Sequence, residues 1–555
     1  MSSEEQSSKI TLCVLPTQCG KTFQSISHIK GNIDQDDDRG RSISLVFTMN
    51  SLLGNMQFAG RLGEIEKLYS SEYDKNKGAV CIFSSDKNVG DFMHVKTLNE
   101  LQGLFLNIKT IPRVIVMCSN TKRFGEAVKF INTLNDNRDS NKGYIDRVFC
   151  YFDELHEYIK GNLRSQIECI HNLDIVEGIL ALTATPGKIF ENTGFWSKLN
   201  MIELNDYDEH DYAGVTDVQF ENINTFFKLP YKKPKSTDDH TKETLDFIKL
   251  CLETYPNILQ DKSYSFIPGN MRQESHLKIK DLLFEKNDKV VVVLINGKEK
   301  SLSFNDENGT RKTILLEGNT EVCDVIHEIV VKNNLRNRPK VVTGFLCVGM
   351  GQTLTNKKTG SFTHAIFSHM DLSNDKIYQL FGRITGRMKK WKRYVKTKVY
   401  CPNIIYTRCF YMEMAAKNLR DGHNGEMVTK YDYEEVAQQL SEEDREDIKV
   451  NNKDKKPKKI IETYSKRDKD FELFDTQEEA QKFAKERFNY RIQKRKTNDL
   501  PKVLQKYFNS NSASPEQIKN RFWGINEKTN NKIRMLPVFE GDKWIVYWRP
   551  SMFEK

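Results

Sequence analysis

Short apolar runs alternate with amphipathic stretches along the sequence from Ile10 onwards. Short apolar runs predict buried strands of a parallel sheet, and the stretches between them have helical spacing. The first series of predicted strands covers residues 10–15, 43–48, 80–84, 114–118, 148–152 and 179–183. This alternation is typical of an α/β domain, which we place at residues 1–205.

The alternation is lost in residues 206–241, whose Asp, Lys and Pro content predicts a linker. A second series of strands is predicted at 263–267, 290–295, 340–345, 364–367 and 398–400, which places a second α/β domain at 242–415. Within it, polar and apolar residues alternate around Asn308-Gly309. This pattern predicts a surface hairpin over 297–316 with a tight primed turn.

The last part of the chain differs in composition. Residues 416–459 predict a charged helical stretch and then a basic linker, whose run 455–459 is also compatible with a nuclear import signal. Residues 460–555 predict a small α+β module. Helix starts are expected at the capping patterns 476–479 and 514–517, and a strand at 544–548.

The composition narrows the class of protein. A chain of 555 residues with 38% hydrophobic residues is long enough for about three domains. No run of about 18 apolar residues occurs and the first residues are polar, so we expect an intracellular protein of the nucleus or cytoplasm with no membrane partner. Eleven cysteines without a Cys-x-x-Cys pair favour neither a disulfide framework nor a zinc site.

The net charge of +9 is unevenly distributed. Residues 451–555 contain 25 basic and 15 acidic side chains, whereas the preceding 450 residues contain 60 and 61. Clustered Lys and Arg attract polyanions such as nucleic acid. The composition is equally compatible with a solvated, solubilising tail.

A phosphate-binding loop is predicted between the first strand and the first helix. The segment 15–22 reads LPTQCGKT, in which Lys21 can neutralise phosphates and Thr22 can ligate magnesium. Backbone N–H groups at the helix start can cradle the phosphates. The general pattern has glycine where Leu15 stands, so this segment alone leaves a chance Gly-Lys-Thr open.

Two carboxylates end a later strand. Asp153 at the strand tip can hold magnesium, and Glu154 is placed to deprotonate an attacking water. Two surface acids at a strand end would give the same pattern.

Four segments occur in a characteristic order: PTxxGKT at 16–22, DExH at 153–156, LTATP at 182–186 and QxxGR at 379–383. Together they resemble motifs I, II, III and VI of superfamily 2 helicases, over about residues 10–400. The resemblance implies two RecA-like domains in tandem. It also implies ATP and Mg²⁺ in the cleft between the domains, with a single strand of nucleic acid crossing both.

The resemblance also implies roles for individual residues. Nucleotide-binding residues would be Pro16, Thr17, Gln18, Cys19, Gly20, Lys21, Thr22, Gly351, Gln379 and Arg383. Catalytic residues would be Glu154 as the base, together with Lys21, Gln379, Arg383 and Arg387. Thr22 and Asp153 would bind magnesium, and we expect no other metal.

Further roles concern coupling and nucleic-acid binding. His156, Thr183 and Thr185 would couple hydrolysis to domain closure. Residues expected to contact nucleic acid are Asn50, Ser119, Asn120, Thr121, Thr343 and Gly344.

Motif VI departs from the family pattern. Its usual spacing would put a final arginine at position 386, but that residue is Gly386 and the arginine is Arg387. On a helix, a shift of one residue turns the side chain by about 100°. Arg383 is therefore the expected arginine finger, and Arg387 would reach the site from a distorted turn or bind nucleic acid instead.

The form Asp-Glu-Leu-His indicates a DExH-type member. Only nine residues precede the first strand, so we expect no upstream adenine-reading segment and loose base selectivity. The expected function is an ATP-dependent helicase or translocase, with DNA favoured over RNA, of a kind similar to helicases of large DNA viruses or mobile elements. Alternatives are an ATPase that remodels or displaces protein without unwinding, and a non-catalytic nucleic-acid-binding scaffold.

Overall fold

The computed structural model describes residues 9–36, 40–49, 52–69, 78–85, 92–137, 144–159, 161–191, 196, 198–204, 209–228, 231–234, 236–316, 321–345, 353–438, 470–476, 478–479, 482, 537–540 and 543–548. The chain divides into two units at residue 453, and each unit is described by itself. In the first unit the structure confirms the predicted fold class, two RecA-like α/β domains in tandem.

The first domain is built on a parallel sheet with strand order β8-β1-β7-β6-β2-β5-β3-β4. Its strands are β1 (Ile10–Val14), β2 (Ser42–Thr48), β3 (Val80–Phe83), β4 (Met93–Val95), β5 (Val114–Cys118), β6 (Arg147–Asp153), β7 (Val176–Thr183) and β8 (Lys198–Met201). Its helices are α1 (Lys21–Asp34), α2 (Leu52–Arg61), α3 (Gly63–Tyr69), α4 (Leu98–Leu104), α5 (Thr121–Asn137), α6 (Gly161–His171) and α7 (Gly187–Phe190).

Apolar side chains cover both faces of this sheet. Every residue of β2 is buried, as expected for a central strand with helices on both sides. On one face, the Phe47 ring stacks on Phe124 at 4.6 Å and on Phe152 at 4.7 Å between ring centroids. Burying a side chain of this size contributes about 1.5–3 kcal/mol, so these rings fix α5 against the sheet.

The second domain has a mixed sheet with strand order β10-β18-β16-β11-β15-β12-β13-β14. The strands of this part of the chain are β9 (Tyr212–Ala213), β10 (Gln219–Asn222), β11 (Tyr264–Phe266), β12 (Val291–Ile295), β13 (Lys300–Asn305), β14 (Arg311–Leu315), β15 (Lys340–Gly344), β16 (His364–Ile366), β17 (Gly386–Arg387) and β18 (Lys398–Cys401). The helices are α8 (Thr237–Thr254), α9 (Gln273–Lys286), α10 (Val322–Lys332), α11 (Asn374–Phe381) and α12 (Asn403–Gly422).

The hairpin β13–β14 extends the second sheet by pairing β13 with β12. Its turn differs from the primed type that Asn308-Gly309 predicts. Gly309 has a φ of +77°, but Asn308 is not among the residues with positive φ, as a primed turn of type I′ would require. The Asp306 carboxylate instead accepts hydrogen bonds from the backbone N–H groups of Asn308 and Thr310 at 3.0 and 2.9 Å, which stabilises a wider turn.

The second domain begins before residue 242. Strand β10 lies within the expected linker and pairs in parallel with β18. Its residues are mostly exposed, so they carry no hydrophobic pattern that predicts a strand. Strand β9, in the same segment, forms a separate antiparallel ladder with β17.

The chain then returns to the first domain. After α12, strand β19 (Met427–Thr429) pairs antiparallel with β8, and α13 (Lys430–Gln438) follows. The Tyr433 ring of α13 stacks on Phe190 at 5.4 Å between centroids. Part of the expected charged stretch 416–459 therefore belongs to the first sheet.

In the second unit, the described residues form a three-stranded antiparallel sheet of β20 (Asp470–Phe474), β21 (Pro537–Glu540) and β22 (Lys543–Trp548). Thr476 and Glu479 make the reciprocal bonds of a capping box, each 3.3 Å long. The second capping pattern, 514–517, lies outside the described residues. Across the part of the chain that the structure describes, no helix is long and apolar enough to span a membrane.

Candidate active site

The phosphate loop joins β1 to α1 at the carboxyl edge of the first sheet. Gly20, which precedes α1, has a φ of +101°, and no side chain from the described residues caps this helix. Its first backbone N–H groups are therefore available to an anion. Leu15, which replaces the usual glycine, is fully buried, and its N–H donates to the Thr183 carbonyl at 3.2 Å. The backbone of Leu15 therefore continues the pairing of β1 with β7 by one residue.

The loop lysine faces the two motif II carboxylates. Lys21 Nζ lies 3.3 Å from Glu154 Oε1. Burial and the negative charge of Glu154 raise the pKa of Asp153. Burial alone would raise the pKa of Glu154 as well, but the positive charge of Lys21 holds it below its usual range. The pKa of Asp153 is therefore raised while that of the neighbouring Glu154 is lowered, and such a difference between adjacent acids is typical of catalytic sites.

Glu154 also has an unusual backbone. Its φ of 54° and ψ of 49° are left-handed, which costs a non-glycine residue energy. The turn begins the short 3₁₀ helix Leu155–Glu157 directly after β6. Strain of this kind clusters at functional sites.

His156 connects the two domains. Gln379 Nε2 in α11 donates a hydrogen bond to His156 Nε2 at 2.8 Å. This leaves the proton of the neutral ring on Nδ1, which lies 2.9 Å from Thr183 Oγ1. Thr183 Oγ1 also accepts from the Thr185 N–H at 2.9 Å. A continuous chain of hydrogen bonds therefore runs from motif VI through motif II to motif III.

The phosphate loop packs directly on motif VI. The Thr17 N–H donates to Tyr378 Oη at 3.4 Å, and Thr17 Oγ1 lies 3.1 Å from Thr385 Oγ1. A Cβ atom on Gly382 would come within 2.3 Å of the Thr17 side chain. Glycine is therefore required at this position for the two domains to approach so closely.

Arg383 lies on the 3₁₀ turn Gly382–Ile384 that follows α11. Burial lowers the pKa of Arg383 to about 10, against the opposing negative charges of Glu154 and Asp153. A guanidinium in this field remains protonated at neutral pH. The negative charges of Glu154 and Asp153 favour this protonated form.

Arg387 does not follow the expected helical geometry. Helix α11 ends at Phe381, and Arg387 belongs to strand β17. The expected rotation of about 100° for a shift of one residue applies only to a helix, so it does not describe Arg387. Gly386 has a φ of +139°, and β17 pairs with Tyr212 and Ala213 of β9. The Arg387 side chain reaches within 3.8 Å of the position of a Cβ on Gly20. Arg387 therefore lies beside the phosphate loop.

The site contains one basic residue that the motifs do not predict. Arg61, the last residue of α2, contacts Thr22 Oγ1 at 3.4 Å. It also reaches Glu321 and Thr353 in the second domain. A single arginine at a helix end, outside the spaced motifs, gives no sequence signal for this role.

The expected nucleic-acid residues lie at the carboxyl edges of the two sheets. Ser119 and Asn120 follow β5, and their side chains are engaged within the protein, with Thr48 and the Arg123 N–H respectively. Thr121 begins α5, while Thr343 and Gly344 end β15. The side chain of Thr343 is fully buried. Asn50 and Gly351 lie outside the described residues.

Comparisons with solved structures find matches that include two helicases and a restriction-modification enzyme. The NS3-like helicase from Alongshan virus aligns over 78% of this chain and 85% of its own, at 12% identity and a TM-score of 0.32. The DEAD-box helicase Mss116 bound to ssRNA and UDP-BeF aligns over 81% and 78%, at 13% identity and 0.39. The ATP-dependent Type ISP restriction-modification enzyme LlaBIII bound to DNA aligns over 74% and 29%, at 12% identity and 0.42.

No family model matches the sequence, and no curated protein matches it. We therefore base the assignment of the site on its own residues and their geometry.

Proposed function

We propose that this chain is an ATP-dependent motor of the superfamily 2 helicase type, which hydrolyses ATP to move on or unwind nucleic acid. One observation carries the proposal. Lys21 and Glu154 lie 3.3 Å apart at the start of α1, and Arg383 of the second domain interacts electrostatically with Glu154, although the three residues come from separate motifs. Convergence of this kind is what phosphoryl transfer requires, because catalysis depends on positioning and charge stabilisation.

The residues of the first domain fit a triphosphate. The free amides at the start of α1 and the Lys21 ammonium would bind its terminal phosphates. Thr22 and Asp153 offer the oxygen donors that Mg²⁺ prefers, and one oxygen of Glu154 accepts no hydrogen bond from the described residues. A bound magnesium ion would neutralise charge on the phosphate oxygens.

Glu154 is the proposed general base. Its lowered pKa keeps it ionised at neutral pH, so that it can accept a proton from an attacking water. The 3.3 Å contact of its Oε1 with Lys21 Nζ helps to hold the carboxylate in place.

Arg383 is the proposed arginine finger, because it brings a positive charge from the second domain towards the acids of the first. Arg387 faces the loop at Gly20 and would bind the triphosphate. In this proposal both arginines act only when the domains are together, so hydrolysis depends on closure of the cleft.

His156, Gln379 and the motif III threonines would couple closure to the nucleic-acid strand, which would lie along the carboxyl edges of both sheets. We favour DNA as this strand. The same site would serve an ATPase that displaces protein without unwinding. A non-catalytic scaffold would not need Lys21, Glu154 and Arg383 together.

The test measures ATP hydrolysis by the full chain alone and with single-stranded DNA or RNA, followed by displacement of strands from matched tailed duplexes. We expect magnesium-dependent hydrolysis that nucleic acid stimulates, and displacement of DNA. Stimulated hydrolysis without displacement would favour the remodelling ATPase. No hydrolysis, with Lys21→Ala binding nucleotide as the wild type does, would contradict the proposal.

A further inference from the structure

Arg61 bridges the two domains on the magnesium side of the proposed nucleotide site. One guanidinium nitrogen, Nη1, lies 3.4 Å from Thr22 Oγ1 in the first domain. The other, Nη2, lies 3.0 Å from Glu321 Oε1 and 3.1 Å from Thr353 Oγ1 in the second. The planar fork of an arginine suits this arrangement, because it directs several donors to separate acceptors at once.

The base of this bridge is rigid. Helix α2 is packed against the first sheet through Met56, Phe58 and Ala59, and Leu62 directly after Arg61 is fully buried. The Leu62 N–H donates to the carbonyls of Phe58 and Ala59. The Cα of Arg61 therefore moves with the first domain, and its contacts with Glu321 and Thr353 report the position of the second.

The acceptors in the second domain are equally well placed. Glu321 immediately precedes α10, and its carboxylate is 29% exposed, so the ion pair is partly shielded from water. In the sequence, Thr353 comes nine residues after Gly344, one of the residues expected to contact nucleic acid. Arg61 thus joins the nucleotide side of the cleft to the second domain at two residues, Glu321 and Thr353.

The positive charge of Arg61 lies beside the hydroxyl of Thr22, a proposed magnesium ligand. A divalent cation held by Thr22 and Asp153 would repel the guanidinium and would need the Thr22 hydroxyl oxygen that Arg61 contacts.

We propose that Arg61 is a positioning residue that ties the magnesium side of the site to the second domain and competes with magnesium for the Thr22 hydroxyl. The inference rests on the proposed function for its metal and nucleotide, but not for the link between the domains. With a metal on the Thr22 oxygen, Arg61 would release Thr22 and keep its contacts with Glu321 and Thr353. The metal would thereby remove the Thr22 end of the bridge between the domains.

The experiment compares Arg61→Ala and Glu321→Gln with a control, Arg164→Ala. Arg164 lies in α6 of the same domain and makes an ion pair with Glu168 on the surface. The first readout is the Mg²⁺ concentration needed for half-maximal binding of a non-hydrolysable fluorescent ATP analogue. The second, in the nucleotide-free full chain, is the hydrogen exchange of residues 374–387, which pack on the phosphate loop.

Arg61→Ala should lower the required Mg²⁺ concentration by about fivefold or more, the lower end of typical coupling between sites. Glu321→Gln should not lower it, because Arg61 stays beside Thr22. Both variants should speed exchange of residues 374–387, whereas Arg164→Ala should change neither readout. Circular dichroism of each variant checks that it is folded. If Arg61→Ala is not folded, Glu321→Gln carries the test, because it preserves the shape of the side chain.

The possible failures differ. A wild type that binds no analogue would contradict the proposed nucleotide site and with it the competition for Thr22, while the exchange readout would still decide the link between the domains. Normal binding with Arg61→Ala equal to Arg164→Ala in both readouts would overturn the inference about Arg61 and leave the proposed function standing. A lowered Mg²⁺ requirement in Glu321→Gln would also overturn the competition.

Discussion

Gln379 Nε2 donates to His156 Nε2 at 2.8 Å, and this hydrogen bond joins α11 of the second domain to motif II of the first. We expect Gln379→Ala to lower ATP turnover and its stimulation by nucleic acid by about tenfold, the value of one lost hydrogen bond to a buried partner. Binding of a non-hydrolysable analogue should be unchanged. Steady-state hydrolysis with and without single-stranded DNA checks this, and unchanged stimulation would contradict it.

Glu154→Gln tests the proposed base. The amide keeps the shape of the carboxylate but cannot accept the proton of a water, so we expect kcat to fall by about 10²–10⁴-fold. Because the neighbouring Lys21 loses its ionic partner and gains freedom to bind phosphate, analogue affinity should be equal or higher. Single-turnover hydrolysis and analogue binding measure the two effects. Full turnover in this variant would leave the base unassigned.

Substitution of the two motif VI arginines should change different kinetic parameters. Arg383 lies in the field of Glu154, so Arg383→Ala should mainly lower kcat, by about 10³-fold for a finger. Arg387 faces Gly20, so Arg387→Ala should mainly raise KM for ATP. The matched control is Arg393→Ala, which changes an arginine on the surface of the same domain. A fully active Arg383→Ala would refute its assignment.

The second domain should lose stability in mild acid because of His364. Burial, with the nearby Lys398 ammonium, lowers the pKa of His364 to about 4. In the unfolded chain His364 binds a proton as the pH falls below about 6.5, whereas in the folded chain it does so only near pH 4. Protonation therefore favours the unfolded chain, and stability falls as the pH drops from about 6.5 towards 4. With allowance for solvent screening, His364→Gln should remove about 1–2 kcal/mol of the loss in unfolding free energy between pH 7 and pH 4.5. Urea titrations at the two pH values check this, and an equal loss in both proteins would contradict it.

The terminal segment should supply much of the nucleic-acid affinity. It carries the whole excess of positive charge, 25 basic against 15 acidic side chains in residues 451–555. Truncation after residue 450 should weaken binding and flatten the dependence of log Kd on log salt, because fewer counterions are released. Analogue binding by the truncated chain serves as the control. Unchanged affinity and slope would make the segment a solubilising tail.

The sequence predicted the parts of the fold that depend on local patterns. The strands ending at Cys118 and Asp153 contain runs of consecutive apolar residues, and the strand ending at Thr48 is mostly apolar, which is the usual sequence form of a buried parallel strand. The adjacency of Lys21 and Glu154 could be anticipated as well, because the carboxyl ends of parallel strands share one edge.

Other features depend on contacts between distant residues. The place of Arg387 is set by the ladder of β17 with β9, two strands of two residues each, which no periodicity can reveal. Arg61 joins residues 39, 260 and 292 positions away. Strand β10 is exposed, so its pairing with β18 gives no hydrophobic signal.

The return of the chain to β19 has a mechanical consequence. The Met201 N–H at the end of β8 donates to the Glu426 carbonyl just before β19, at 2.8 Å. The outgoing and returning backbones of the second domain therefore cross the same corner of the first sheet, side by side. A domain connected at one corner by two adjacent segments rotates about them as about a hinge. The displacement of its atoms then grows with their distance from that hinge. Motion during each cycle should then be smallest beside β8 and β19 and largest at the far edge, around β14.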